Sequence, residues 1–155
     1  MTKHEMDDID IRASHPHDNP RLRVWVAADE HGYGHALAVF VAFLPYADSP
    51  RAYDRDTYTV TRARRMGIAT RLINHATAAL AAEPIPRTRC FNWIATEAGY
   101  NLAVSLGAVH DEDRPLNVVN AGLPYTPYNQ AKADDSGYQA LREAAARLGL
   151  SEPER

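Results

Sequence analysis

Apolar and polar residues alternate near the start of the chain, where Ile9 and Ile11 are separated and followed by charged residues. A period of two predicts a short strand with one apolar face, here at the edge of a sheet. Residues 15–20 carry two prolines and several turn formers, which predicts a loop. Residues 22–28 and 35–44 are rich in β-forming side chains and are separated by a glycine-containing turn cluster, so together they predict a hairpin.

The pattern changes in the middle of the chain from strand-like to helical. Residues 45–56 are polar and rich in turn formers, which predicts a loop, and residues 58–61 then give a third strand signal. Beyond Gly67, apolar residues recur at helical spacing and alanines surround them. We expect this amphipathic helix to end near Pro84. Its apolar positions are Ile68, Leu72, Ala76 and Leu80.

A further strand and a short helix are predicted after that helix. Residues 89–96 have a strand-like composition, and residues 97–106 read as a helix closed by Gly107. Two short apolar runs, residues 107–111 and 116–119, predict a closing hairpin, and residues 123–130 predict a connector rich in proline and tyrosine.

The C-terminal pattern predicts a helix over residues 134–149. Ser136 and Gln139 have the spacing of a capping box, and Gly149 stands where helices commonly end. One face of this helix is apolar and is formed by Tyr138, Leu141, Ala145 and Leu148.

Composition narrows the classes of protein to which the chain can belong. Its 155 residues suit a single domain over residues 1–155, with a polar and flexible segment at residues 1–8. No apolar run approaches the length of a membrane span, and the one cysteine, Cys90, cannot form an internal disulfide, so we expect a cytoplasmic protein without membrane contact. The net charge of -3 gives no global field for attracting nucleic acid, although a local basic patch remains open.

Candidate chemistry concentrates between the third strand and the first helix. Gly67 and the small Ala69 allow the backbone to approach a ligand closely, and the N–H groups of a helix N-terminus bind anions. Arginine side chains next to them add charge-assisted hydrogen bonds to phosphate oxygens. The segment therefore favours a phosphorylated cofactor, and the alternative is a solvated helix start in which Gly67 only begins the turn. The arginines are Arg62, Arg64, Arg65 and Arg71.

Arg64, Gly67 and Ala69 together form an Arg-x-x-Gly-x-Ala motif that resembles the Gln/Arg-x-x-Gly-x-Gly/Ala signature of GNAT superfamily acyltransferases. The order of elements over residues 22–109 resembles that family as well. The resemblance implies an α/β fold of three layers, with a mixed, mostly antiparallel central sheet flanked by helices. Only the loop at residues 15–21 stands where the family usually has two helices, so the N-terminal helical region is shortened.

Acetyl-CoA is the co-substrate that the resemblance implies. It would lie in a wedge beside the fourth strand of the family, residues 58–61, with its pantetheine arm along the backbone near Val60 or Thr59. The pyrophosphate would be held over residues 65–71. The implied cofactor-binding residues are Thr59, Val60, Arg62, Arg64, Arg65, Met66, Gly67, Ile68, Ala69, Thr70 and Arg71.

The catalytic acid and base are predicted at Tyr100 and Glu97. In the family a tyrosine often protonates the departing thiolate, and the equivalent position here falls near Ala103. Tyr100, one helical turn earlier, is the candidate acid, and Ser105 or a water is the alternative. Glu97 is the candidate base for an acceptor ammonium. Each has a structural alternative: Glu97 as a carboxylate favoured by the helix dipole, and Tyr100 as a packed core residue.

The resemblance implies direct N-acetyl transfer to a primary amine on a small molecule, a peptide or a modified nucleic acid. Two alternatives remain: an acyl-CoA-binding module with little activity, and a nucleic-acid-modifying enzyme that docks through its arginines. An exposed sheet edge and the habit of the family suggest a homodimer. The histidines lack metal-ligand spacing, so no metal is expected.

Overall fold

The computed structural model of the protein describes residues 8–15, 18–29, 34–44, 51–82, 88–90, 101–102, 105 and 127–155. The described part forms a five-stranded sheet and two long helices. In chain order these are strands β1 (Ile9–Ala13), β2 (Leu22–Asp29), β3 (His35–Phe43) and β4 (Arg51–Thr59), helix α1 (Ile68–Ala81), strand β5 (Thr88–Cys90) and helix α2 (Pro127–Arg147).

The strands lie in the sheet in their chain order, with β1 at one edge. The pairs from β1 to β4 are antiparallel, whereas β4 and β5 are parallel. The predicted edge strand and hairpin are confirmed, and the sheet is mixed and mostly antiparallel, as expected. A register shift between Ala27 and Ala28 marks a bulge in the hairpin.

The start of β4 corrects the sequence prediction, because residues 51–56 are strand where a loop was expected. Charged residues give this stretch a weak strand propensity, but its backbone pairs with β3 on one side and with β5 on the other. Pairing on both sides outweighs the local preference. The strand also ends earlier than predicted, at Thr59, and a short 3₁₀ turn, Thr61–Ala63, follows.

Only part of the predicted second half lies within the described residues. Strand β5 covers Thr88–Cys90, and residues 91–100 of the predicted strand and helix are outside the described part. Asn101, Leu102 and Ser105 are helical, as the helix predicted over residues 97–106 requires. The predicted hairpin at residues 107–119 and the connector up to residue 126 are also outside the described part.

Helix α2 is longer than predicted, because it begins at Pro127 rather than near residue 134. Ser136 therefore lies inside the helix, and the predicted capping box is wrong. Proline suits the first turn of a helix, since its missing N–H is not needed there. The predicted end is confirmed: Gly149 has φ 71°, and the Leu150 N–H donates to the Ala145 carbonyl at 2.9 Å, which closes a Schellman motif.

Both faces of the sheet are covered in the described core. Neighbouring side chains of β3, which point to opposite faces, are all buried from Ala36 to Val41, and both helices contact β2, β3 and β4. The three-layer expectation is therefore confirmed. Neither described helix has the length and apolar character needed to cross a bilayer. The largest fully buried side chains are Phe40, Leu37, Ile68, Leu72, Ile73, Leu141, Val26, Val39 and Val60.

Candidate cofactor site

The arginine-rich loop joins the end of β4 to the start of α1, where the sequence places it. Val60 is extended and 1% exposed, and its N–H donates to the Leu37 carbonyl of β3 at 2.8 Å. Peptide groups of an extended chain alternate in direction, so the backbone groups of Thr59 and Thr61 point away from β3. The N–H of Val60 is thus occupied within the sheet, and Thr59 rather than Val60 presents backbone toward the other side.

Arg64 ties this loop to the end of β4. Its Nε donates to the Thr59 carbonyl at 2.9 Å, and its guanidinium carbon lies 5.5 Å from the centre of the Tyr58 ring. Its Nη2 also lies 3.4 Å from Oδ1 of Asp134 on α2. Because all three contacts are made within the chain, the Arg64 side chain acts here as a brace for the loop.

Two residues of the loop adopt left-handed backbone conformations. Arg65 has φ 64° and Gly67 has φ 79°. A side chain at φ values of this kind is strained, and glycine avoids the strain at the second position. A Cβ built on Gly67 would have no atom within 4 Å, so the space in front of this residue is open.

Gly67 is the N-cap of α1, and the first turn of the helix presents its backbone N–H groups. The helical ladder begins with the Arg71 N–H, which donates to the Gly67 carbonyl at 3.0 Å. The preceding N–H groups have no intrahelical partner. Among the described residues no side chain caps them, and the first turn contains no acidic residue to offset the helix dipole. This arrangement is suited to an anion.

The remaining predicted residues divide into anchors and exposed groups. Ile68 is 1% exposed and belongs to the core, so it fixes the start of α1 to the sheet. Met66, Ala69 and Thr70 are half-buried around it. The exposed group consists of Arg62, Arg65 and Arg71. The structure thus brings together one uncapped helix start and three exposed guanidinium groups.

Tyr58 links β4, the loop and α2. It is 6% exposed, and its ring meets that of Tyr138 edge-on with the centroids 6.3 Å apart. A Cβ built on Gly137 would lie 2.6 Å from the Tyr58 Cβ, so the two elements approach very closely. Burial raises the pKa of the Tyr58 hydroxyl above its ordinary value, and the Arg64 guanidinium opposes that rise.

The catalytic predictions, Glu97 and Tyr100, lie outside the described residues and stay predictions. The sequence reasoning missed the part that α2 and the C-terminal residues take at the loop. Asp134 approaches Arg64 at 3.4 Å, and Glu154 approaches Arg62 at 3.3 Å. No local pattern links residues so far apart in the chain, and only their opposite charges hint at the pairing. In the described part, no cluster of histidine, cysteine or carboxylate residues is arranged to hold a metal ion.

Comparison with known proteins agrees with this geometry. The model of the Acetyltransferase (GNAT) family matches residues 2–104. No curated protein matches the chain. Solved structures share the fold at low sequence identity, including an aminoglycoside acetyltransferase from an uncultured soil metagenomic sample in complex with sisomicin. That structure has a TM-score of 0.51 and 18% identity over 61% of this chain and 62% of its own.

Two further structures are similar in the same way. NAA60 of Arabidopsis thaliana, in complex with a bisubstrate analogue, has a TM-score of 0.51 and 18% identity over 61% of this chain and 65% of its own. AAC(6')-Iy, in complex with the bisubstrate analogue CoA-S-monomethyl-acetylneamine, has a TM-score of 0.52 and 16% identity, over 67% of this chain and 92% of its own. The match thus covers less than two thirds of the first two relatives. With the family model spanning most of its length, the chain belongs to the GNAT acetyltransferase family.

Proposed function

We propose that the protein transfers an acetyl group from acetyl-CoA to a primary amine. The observation that carries the proposal is the uncapped N-terminus of α1, which opens onto free space at Gly67. Oriented N–H groups and the positive end of a helix dipole are favourable for a pyrophosphate. Membership in the GNAT family supports the same ligand.

The loop backbone would hold the pyrophosphate, and the exposed arginines would add charge. Residues 67–70 provide N–H groups at fixed positions, because Ile68 anchors the helix start in the core. The exposed guanidinium groups of Arg62, Arg65 and Arg71 are within the same segment and carry the opposite charge. Arg64 would contribute indirectly, since it braces the loop against the Thr59 carbonyl.

The end of β4 would hold the pantetheine arm by its backbone. The Thr59 N–H faces away from β3 and its carbonyl accepts from Arg64, whereas the N–H of Val60 is bonded to Leu37. A neighbouring amide chain can pair with such an edge much as another strand would. We therefore assign the pantetheine contact to Thr59 in preference to Val60.

The reaction is direct attack by the acceptor. When acetyl-CoA is bound it supplies an activated thioester. The deprotonated amine nitrogen forms a bond to the acetyl carbonyl carbon, the carbon–sulfur bond breaks, and the thiolate takes up a proton. The protein contributes by positioning and electrostatics. Glu97 and Tyr100 are our candidates for removing the amine proton and protonating the thiolate.

The acceptor is an amine on a small molecule or a peptide. Structures similar in fold were solved with sisomicin and with CoA-S-monomethyl-acetylneamine, which supports a small-molecule amine, and a peptide amine is the second class that we propose. The test is incubation of the purified protein with acetyl-CoA and panels of polyamines, aminoglycosides and peptides, with free thiol and acetylated product measured together. Thiol release matched by product supports the proposal. Binding of acetyl-CoA without turnover on any panel would instead favour an acyl-CoA-binding module.

A further inference from the structure

The last residues of the chain fold back across the cofactor loop. We call residues 150–155 the C-terminal strap. Leu150 packs beside Gly34, where an added Cβ would lie 3.2 Å from the leucine side chain, and Ser151 forms a parallel bridge with His35. His35 is the first residue of β3, and the first half of β3 pairs with the end of β4. The bridge to His35 therefore places the strap close to the end of β4.

Tyr138 of helix α2 fastens the middle of the strap. Its hydroxyl donates to the Pro153 carbonyl at 3.0 Å, and Pro153 itself is buried. The Arg155 guanidinium lies 4.7 Å from the centre of the same tyrosine ring and also pairs with Asp135. These contacts hold the backbone on both sides of Glu154 against the protein.

Glu154 and Arg155 then meet the cofactor loop. Oε2 of Glu154 lies 3.3 Å from Nε of Arg62, and the Thr61 N–H donates to the Arg155 carbonyl at 3.4 Å. The Thr61 N–H is on the side of the chain that faces away from β3. Both loop groups are therefore ones that an acyl-CoA in the proposed position would approach.

We propose that the C-terminal strap is an autoinhibitory contact that acyl-CoA has to displace. The inference rests on the proposed function, since it names what the strap competes with. Arg62 cannot pair fully with a phosphate while the Glu154 carboxylate neutralises it, and a carboxylate beside a phosphate repels it. Binding of the cofactor would thus release the strap from Thr61 and Arg62, and a docked strap would weaken cofactor binding.

The strength of the contact predicts a modest effect. The Arg62 and Glu154 side chains are 41% and 69% exposed, and exposed ion pairs of this kind contribute about 0.2–1 kcal/mol. Loss of such a pair changes a dissociation constant by about 1.4- to fivefold. The strap would therefore tune affinity for acyl-CoA and leave the site usable.

The chain offers a matched pair of variants for the test. Glu154→Gln removes the carboxylate that faces the loop, whereas Glu143→Gln removes the same charge from an exposed position on helix α2, outside the strap. Tyr138→Phe keeps the net charge and releases the Pro153 carbonyl. Dissociation constants for acetyl-CoA would be measured by calorimetry on the full chain, with thermal melts to verify folding.

The proposal predicts that Glu154→Gln and Tyr138→Phe each tighten acetyl-CoA binding by about 1.4- to fivefold and that Glu143→Gln leaves it nearly unchanged. Equal effects of the two glutamate variants would mean that only the net charge of the protein changes the affinity, and this would overturn the proposal. So would unchanged affinity in a folded Tyr138→Phe. If Tyr138→Phe fails to fold, the glutamate pair decides. If all the proteins bind acetyl-CoA equally well, the autoinhibitory role of the strap is refuted and the proposed function is not. If none of them binds acetyl-CoA, both the proposed function and the role of the strap are refuted.

Discussion

Nε of Arg64 donates to the Thr59 carbonyl at 2.9 Å, a contact between residues five positions apart that folds the loop back onto the end of β4. The contact assigns the first arginine of the family motif to the shape of the loop. Its charge is partly engaged by Asp134, and its plane lies near the Tyr58 ring. Arg65, the next residue in the chain, is exposed and is therefore a suitable control position for Arg64.

Arg64→Lys should therefore loosen the loop although it keeps the charge. Lysine lacks the planar guanidinium group that contacts the Thr59 carbonyl, the Asp134 carboxylate and the Tyr58 ring at the same time. We expect a loss of about 1 kcal/mol in the free energy of unfolding and about a three- to tenfold weaker affinity for acetyl-CoA. Urea denaturation and calorimetry measure the two. Arg65→Lys is the control and should leave stability unchanged; equal stability losses in both variants would contradict the assignment.

The close approach of α2 to β4 at Gly137 predicts a stability effect opposite to helix propensity. Alanine is normally the better helix residue by about 1 kcal/mol. Here its Cβ would lie 2.6 Å from the Tyr58 Cβ, so the helix has to move. We expect Gly137→Ala to lower the free energy of unfolding by about 1–3 kcal/mol, as overpacked sites do.

Chemical denaturation measures this effect, with Gln139→Ala on the exposed side of the same helix as the control. The control should be neutral or slightly stabilising. A Gly137→Ala protein as stable as the wild type would mean that α2 does not press against Tyr58 as closely as described.

The buried Tyr58 hydroxyl predicts a loss of stability at alkaline pH. Its pKa in the folded protein is raised, mainly by burial, above the value of 10.0 for a free tyrosine. The unfolded chain therefore releases this proton more readily than the folded protein does. The stabilising difference is fully present below about pH 10 and is lost as the pH rises through the folded pKa.

Tyr58→Phe should reduce the slope of this loss above about pH 10, since phenylalanine has no proton to release. The measurement is the free energy of unfolding at a series of pH values. Identical slopes in wild type and Tyr58→Phe would show that the Tyr58 proton does not contribute.

Much of the fold follows from local pattern, and the exceptions have a common cause. The hairpin of β2 and β3 was predictable from its β-forming residues and the turn between them, and the helix after Gly67 from an apolar spacing that matches its buried face. The first half of β4 was missed because its strand state depends on neighbours on both sides, and charged residues there mask it. The start of α2 was predicted too late because Ser136 is a residue type that often caps helices, although here it lies inside the helix.

In the site too, local features were predictable from the sequence and contacts between distant segments were not. The loop motif predicted the uncapped helix start and the exposed arginines, since both depend on residues adjacent in the chain. It did not predict that Arg64 pairs with Asp134 or that Glu154 faces Arg62, because these contacts join distant segments. Pairing between distant charges depends on the completed fold.

Calorimetric titration of the wild type and of Gly67→Glu with acetyl-CoA shows whether the cofactor binds in front of Gly67. Gly149→Glu is the matched control, because Gly149 has a similar φ of 71° and equally open space. We expect micromolar binding by the wild type and by Gly149→Glu, and binding weaker by more than about tenfold in Gly67→Glu, whose carboxylate would occupy the space of the pyrophosphate and repel it. Absence of binding by the folded wild type, or equal binding by all three proteins, would contradict this expectation.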